Sequence, residues 1–125
     1  MLTSRWRVAA GIALALIAGA ARAQTAGDVS KGRRIYEDRC SGCHSRVGSA
    51  DGPGFAGVVG RRAGTNGRFP YTAALKASGV VWTEANLDRY LTNPGLFVPG
   101  TAMQMIVSDE TERRDLIAYL ATLRP

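Results

Sequence analysis

The stretch Cys40-Ser41-Gly42-Cys43-His44 holds the densest reactive chemistry in the chain: two thiols three positions apart, with an imidazole directly behind the second. On a helical turn, positions i and i+3 point to the same side, so both thiols can reach one planar ligand. The adjacent imidazole can then turn toward that ligand's centre. Covalent haem c needs this set: two thioether bonds to former vinyl groups and one nitrogen ligand on a face of the iron. Three other chemistries use the same residue types. A thioredoxin-like redox pair belongs near a strand–helix–strand pattern, and alternating apolar runs are scarce here. A zinc site usually takes four protein ligands, against two cysteines and one histidine in the whole chain. A disulfide across so tight a loop has little to constrain.

Histidine supplies one axial ligand, and no second histidine exists. Setting aside Met1, the available thioethers are Met103 and Met105. A neutral sulfur ligand favours ferrous iron relative to a second imidazole, raising the potential as an electron carrier requires. Residues i and i+2 of an extended segment point the same way, so spacing leaves both methionines open.

Helices must position these groups. Asp28 caps a helix whose apolar or small positions Val29, Gly32, Ile35 and Tyr36 recur near helical spacing, and which runs into Cys40. Gly32 lowers helix propensity there, a cost that a close helix–helix crossing would offset. Residues 45–69 hold many glycines and no sustained periodicity. Long ordered loops of this kind usually wrap something, and here the haem is the natural object. Tyr71–Ser78 predicts a short helix ended by Gly79. Thr83 caps the next, with Leu87, Tyr90 and Leu91 on one face. Pro94 stops it, and a Gly/Pro-punctuated extended loop leads through Pro99-Gly100-Thr101 to Met103. Asp109 with Glu112 signals a capping box for a last helix lined by Leu116, Ile117, Tyr119, Leu120 and Leu123. The chain reads as all-α, with loops around a cofactor.

The first residues have the pattern of a secretory leader: basic Arg5 and Arg7, apolar Val8–Ala20, then the small-x-small site Ala21-Arg22-Ala23. Residues 1–23 are therefore expected to be cleaved, leaving residues 24–125 as one monohaem domain without a membrane span. Removing Arg5, Arg7 and Arg22 takes the formal charge from +6 to +3, with 13 basic against 10 acidic residues. Two propionates and the iron–porphyrin would lower this further, so the field is modest and nucleic-acid binding is not indicated. Arginine pairs at Arg33-Arg34, Arg61-Arg62 and Arg113-Arg114 read as solvated faces.

From Gly27 to Leu123 the chain resembles a class I cytochrome c, close to the mitochondrial type and its bacterial relatives. The matching stretches are G-D-V-S-K-G-R-R-I-Y, C-S-G-C-H, G-P-G-F-A-G-V-V-G-R, F-P-Y-T, G-V-V-W-T, N-P-G-L-F-V-P-G-T-A-M and E-R-R-D-L-I-A-Y-L, in family order. The resemblance implies the class I cytochrome c fold, one haem c bound through Cys40 and Cys43, and axial ligation by His44 and Met103. Met105 falls where relatives usually place an aromatic beside the haem. Pro53 matches the proline whose carbonyl accepts the second N–H of the ligand histidine. Tyr71 and Trp82 match residues that hydrogen-bond a propionate, and Arg61 matches the arginine near those groups. Tyr90 and Thr101 match hydroxyls near the methionine side and the propionates. Gly32 and Tyr36 match first-helix contacts with the last helix, met here by Leu116 and Tyr119.

The departures are a shorter loop from His44 to Pro53, a slightly shorter loop after Met105, and Leu75 in place of a frequent asparagine in a buried polar network. The lysines used for docking in mitochondrial relatives are largely absent, since only Lys31 and Lys76 remain. The resulting expectation is a monomeric, exported, periplasmic one-electron carrier, not an enzyme, serving respiratory or dehydrogenase partner proteins. One alternative is a dedicated subunit of a periplasmic dehydrogenase, which an exposed apolar patch around Phe97 and Val98 would favour. Another is an open-site haem enzyme or gas sensor, formed if Met103 is labile.

Overall fold

The computed structural model describes residues 26–125. The leader expected over residues 1–23 lies outside the described residues. Among the described residues five helices follow in order: α1 Val29–Arg39, α2 Ala73–Ala77, α3 Glu84–Thr92, α4 Pro94–Phe97 and α5 Glu110–Thr122. No sheet forms among the described residues; isolated bridges pair Gly48 with Pro53 and Arg62 with Val81.

Each of the four predicted helices starts where a side-chain oxygen takes an orphan N–H of the first turn. Asp28 accepts from Ser30 and Lys31 at the head of α1. Thr83 accepts from Asn86 and Asp109 from Glu112, heading α3 and α5. The helix expected over Tyr71–Ser78 is shorter, because Thr72 is itself the cap and accepts from Leu75 N–H. Only half of the expected capping box forms. The Glu112 carboxylate bonds Arg39 Nη1 at 2.9 Å rather than turning back to the backbone of Asp109.

The segment expected to be extended after Pro94 contains one helical turn. Asn93 breaks α3 in an extended conformation and then accepts from Leu96 N–H, and Pro94 opens α4. Proline has no N–H to waste at a first helical position, so the residue that stops one helix starts the next.

α1 crosses α5 at Gly32, where a Cβ would collide with the carbonyl oxygen of Asp115. This close approach brings Tyr36 against Tyr119, with ring centroids 5.3 Å apart. Leu116, Ile117 and Leu120 of α5 are buried, together with Leu87, Tyr90 and Leu91 of α3. Burying each such leucine contributes about 1.5–3 kcal/mol. Val98 and Val107 extend this core beneath the loop that carries the methionines.

Candidate functional site

The end of α1 presents the thiols. Cys40 N–H still bonds Tyr36 O at 2.9 Å, and His44 N–H bonds Cys40 O at 2.8 Å, so the helix passes into turns without losing its pairing. Cys40 is buried and Cys43 exposed, and no disulfide joins them. Burial pushes the Cys40 thiol up, partly opposed by Arg39.

His44 is fixed on several sides. Its Nδ1 lies 3.0 Å from Pro53 O. A carbonyl accepts, so Nδ1 carries the proton and Nε2 is left as the free lone pair. Phe55 stacks on the imidazole at 4.4 Å between centroids and 11° between planes. Tyr36 OH donates to His44 O at 2.7 Å. Burial holds the imidazole below its ordinary pKa, and the Pro53 contact partly opposes that shift. A neutral ring with Nε2 available is the form that ligates a metal.

The short loop from His44 to Pro53 closes by a tight turn. Ser49 N–H bonds Gly52 O at 2.9 Å, and Ser45 Oγ donates to Gly48 O at 2.9 Å. Gly48 takes φ +99°, and Gly52 lies so near the imidazole that a Cβ would sit 2.7 Å from Nδ1. Gly52 thus leaves room where a side chain would strike the ring.

Cys40, Cys43, His44, Pro53, Arg61, Tyr71, Trp82, Tyr90, Thr101 and Met103 all line one cavity of about 400 Å³. Both Arg61 Nη atoms go to backbone carbonyls, Nη1 to Ala56 at 3.0 Å and Nη2 to Gly54 at 2.8 Å. The guanidinium therefore pins the loop that follows Pro53. Tyr71 has its phenol pushed up by burial, with Arg61 pulling the other way. Trp82 is buried with its ring 4.8 Å from that of Tyr90. Tyr90 OH and Thr101 Oγ1 pair at 2.6 Å, so these two residues act together. Met103 N–H reaches the same Thr101 oxygen at 3.4 Å.

Met105 also lines the cavity, so membership alone does not separate the two thioethers. Burial does: Met103 packs against the core, whereas Met105 is 40% exposed. Leu75 presents an apolar wall to the cavity. The apolar patch considered around Phe97 and Val98 is not formed by those two side chains themselves. Val98 is buried and Phe97 is half-buried under the Arg89 guanidinium, 4.7 Å from the ring centroid, while the neighbouring Leu96 is exposed.

Sequence reasoning gave Phe55 no role and treated Arg113 as part of a solvated pair. Phe55 stands in the quoted G-P-G-F run, but a loop without periodicity does not reveal what its ring faces. Arg113 is 8% exposed and bonds Asp88, Val107 O and Ser108 O. Its arginine neighbour in sequence hid a buried guanidinium.

The cavity fits a haem on its donor set: largely apolar walls, two thiols, an imidazole with Nε2 free, and a thioether from another segment of the chain. Among the described residues, no group of three or more His, Cys, Asp or Glu side chains converges to hold a bare metal ion.

Comparison with known proteins agrees with this geometry. The cytochrome c family profile matches residues 29–124. Cytochrome c 2.1 of Caenorhabditis elegans is 44% identical over 98 residues, covering 76% of this chain and 88% of that protein. Cytochrome c2 of Rhodomicrobium vannielii is 42% identical over 113 residues, covering 86% and 89%. The solved structure of cytochrome cH from Methylobacterium extorquens superposes with a TM-score of 0.73 at 38% identity, covering 77% of this chain and 99% of that one. Cys40 and Cys43 are the CxxC cysteines that carry haem c covalently in this fold. With its profile match, its relatives and its helical architecture in agreement, the chain belongs to the cytochrome c family of electron carriers, which are not enzymes.

Proposed function

We propose that this protein is an exported, periplasmic one-electron carrier whose haem c is ligated axially by His44 and Met103. The observation that carries this reading is the convergence of Cys40, Cys43, His44 and Met103 on one largely apolar cavity. A haem c held by Cys40 and Cys43, with His44 and Met103 as its iron ligands, would supply reversible one-electron exchange without an open site for substrate.

The residues of the chain set the conditions for that exchange. Pro53 O and Phe55 hold the imidazole of His44 in one orientation, which lowers the rearrangement on transfer. Tyr90 and Thr101 brace the segment that carries Met103. Arg61, Tyr71 and Trp82 form the polar and aromatic wall suited to the propionates. Arg61, bonded to the Gly54 and Ala56 carbonyls, couples that wall to the loop beside His44.

Among the described residues no helix is long and apolar enough to cross a membrane. Export rests on the leader pattern of residues 1–23, and the partners are redox proteins of respiratory or dehydrogenase chains. A spectroelectrochemical titration of the holoprotein should give one reversible step with one-electron slope and no hysteresis. Two steps, or hysteresis from ligand loss on oxidation, would overturn the carrier reading. Fractionation of native cells should find the protein outside the cytoplasm with Gln24 as its first residue. A cytoplasmic protein beginning at Met1 would overturn export.

A further inference from the structure

The segment that bears the methionines is staked at both ends and almost unsupported between them. Upstream, Thr101 is tied to Tyr90 and its N–H bonds Val98 O at 3.0 Å. Downstream, three successive carbonyls are gripped by two arginines. Arg39 Nη2 donates to Ile106 O at 3.2 Å, and Arg113 Nη1 donates to Val107 O at 2.9 Å and Ser108 O at 2.8 Å. Arg113 is oriented in turn by Asp88 of α3, whose Oδ1 accepts from Nε at 2.7 Å. Val107 N–H bonds Leu91 O at 2.9 Å, and the Val107 side chain is 1% exposed. Between the stakes Gln104 and Met105 are exposed.

The two arginines are unequal. The Arg39 side chain is 36% exposed, and its pairing with Glu112 is a surface contact of small value. Arg113 has a side chain only 10% exposed and spends its fork on two carbonyls and a carboxylate at once. A planar guanidinium can do this, and an ammonium cannot reproduce it.

We propose that Arg113, oriented by Asp88, is a positioning residue for the Met103 sulfur. By fixing the carbonyls of Val107 and Ser108, it limits how far residue 103 can swing away from the cavity. Its contribution is to retention of the sulfur ligand rather than to attachment of the haem, which depends on the thiols at the other edge. The inference rests on the reading of Met103 as an axial ligand.

The test is displacement of the sulfur by imidazole in the ferric holoprotein, followed by loss of the far-red sulfur-to-iron band. Arg113→Lys keeps the charge and loses the fork; Asp88→Asn keeps an acceptor and loses the charge. Removing one charge-assisted hydrogen bond should tighten apparent imidazole binding by on the order of tenfold. Asp88→Glu should restore most of the wild-type affinity. Ile117→Val, a core substitution outside the cavity lining, serves as the control for stability lost elsewhere. Its imidazole affinity should stay within about twofold of wild type even where its thermal midpoint falls as far as that of Asp88→Asn, since non-interacting sites behave independently.

Imidazole affinity that follows the thermal midpoint equally in all variants would overturn the proposal, leaving Arg113 a structural residue only. So would unchanged affinity in Asp88→Asn, which decides the matter alone if Arg113→Lys does not fold. A wild-type ferric protein without the far-red band would instead remove Met103 as ligand, and the positioning role with it.

Discussion

His44 is held by a carbonyl at Nδ1, a stacked ring and a phenol on its own backbone, so its free nitrogen has one direction left. Such constraint at the single residue is what makes the pentapeptide legible. Cys40, Cys43 and His44 lie within five residues of sequence, and their spacing lets all three reach one ligand. Phe55 and Gly52 were not legible, because their contact with the imidazole depends on how an aperiodic loop closes. Changing either Cys40 or Cys43 to alanine should weaken haem attachment, and changing both should abolish it. Retention of colour after acid–acetone extraction and denaturing electrophoresis measures this, and colour extracted from the purified wild type would remove covalent attachment. Tyr90→Phe should keep the haem and lower stability by about 0.5–1.5 kcal/mol, because Thr101 loses its hydroxyl partner. Thermal denaturation of the two holoproteins checks it.

The elements were legible where side-chain caps and helical spacing agreed, as at Asp28, Thr83 and Asp109. α4 was not, because Pro94 and Gly95 read as breakers unless Asn93 is recognised as a cap for a new turn. The crossing of α1 with α5 was foreshadowed by Gly32, whose nearest neighbours across it are the backbone of Asp115 and the Cβ of Tyr119. Asp115 also accepts Asp28 N–H at 2.7 Å, which ties the start of α1 to α5 beside that crossing. Gly32→Ala should therefore cost about 3 kcal/mol despite better helix propensity, since the two backbones must separate. Chemical denaturation of the holoprotein measures this, and a stability equal to wild type would show that the crossing can relax. Asp109→Ala should cost about 1 kcal/mol through the lost cap of α5.

At the scale of the whole molecule, a cavity of about 400 Å³ is lined by Leu75, Trp82, Leu87, Tyr90, Leu91, Leu116 and Leu120, which also form much of the buried core. A domain of this size buries too little apolar surface to lose those contacts and stay cooperative, so its ligand supplies part of the core. Protein made without haem should therefore lack a sharp thermal transition and native-like near-ultraviolet dichroism. Both features in cofactor-free protein would mean that the polypeptide packs without help. The central claim, a closed His44/Met103 site that serves electron transfer, is tested most directly by carbon monoxide. Unmodified ferrous protein should bind the gas poorly near neutral pH, because the Met103 sulfur must first be displaced. Met103→Ala should bind it rapidly and lose the far-red band, while Met105→Ala should behave as wild type. Rapid binding by the unmodified protein would contradict the account.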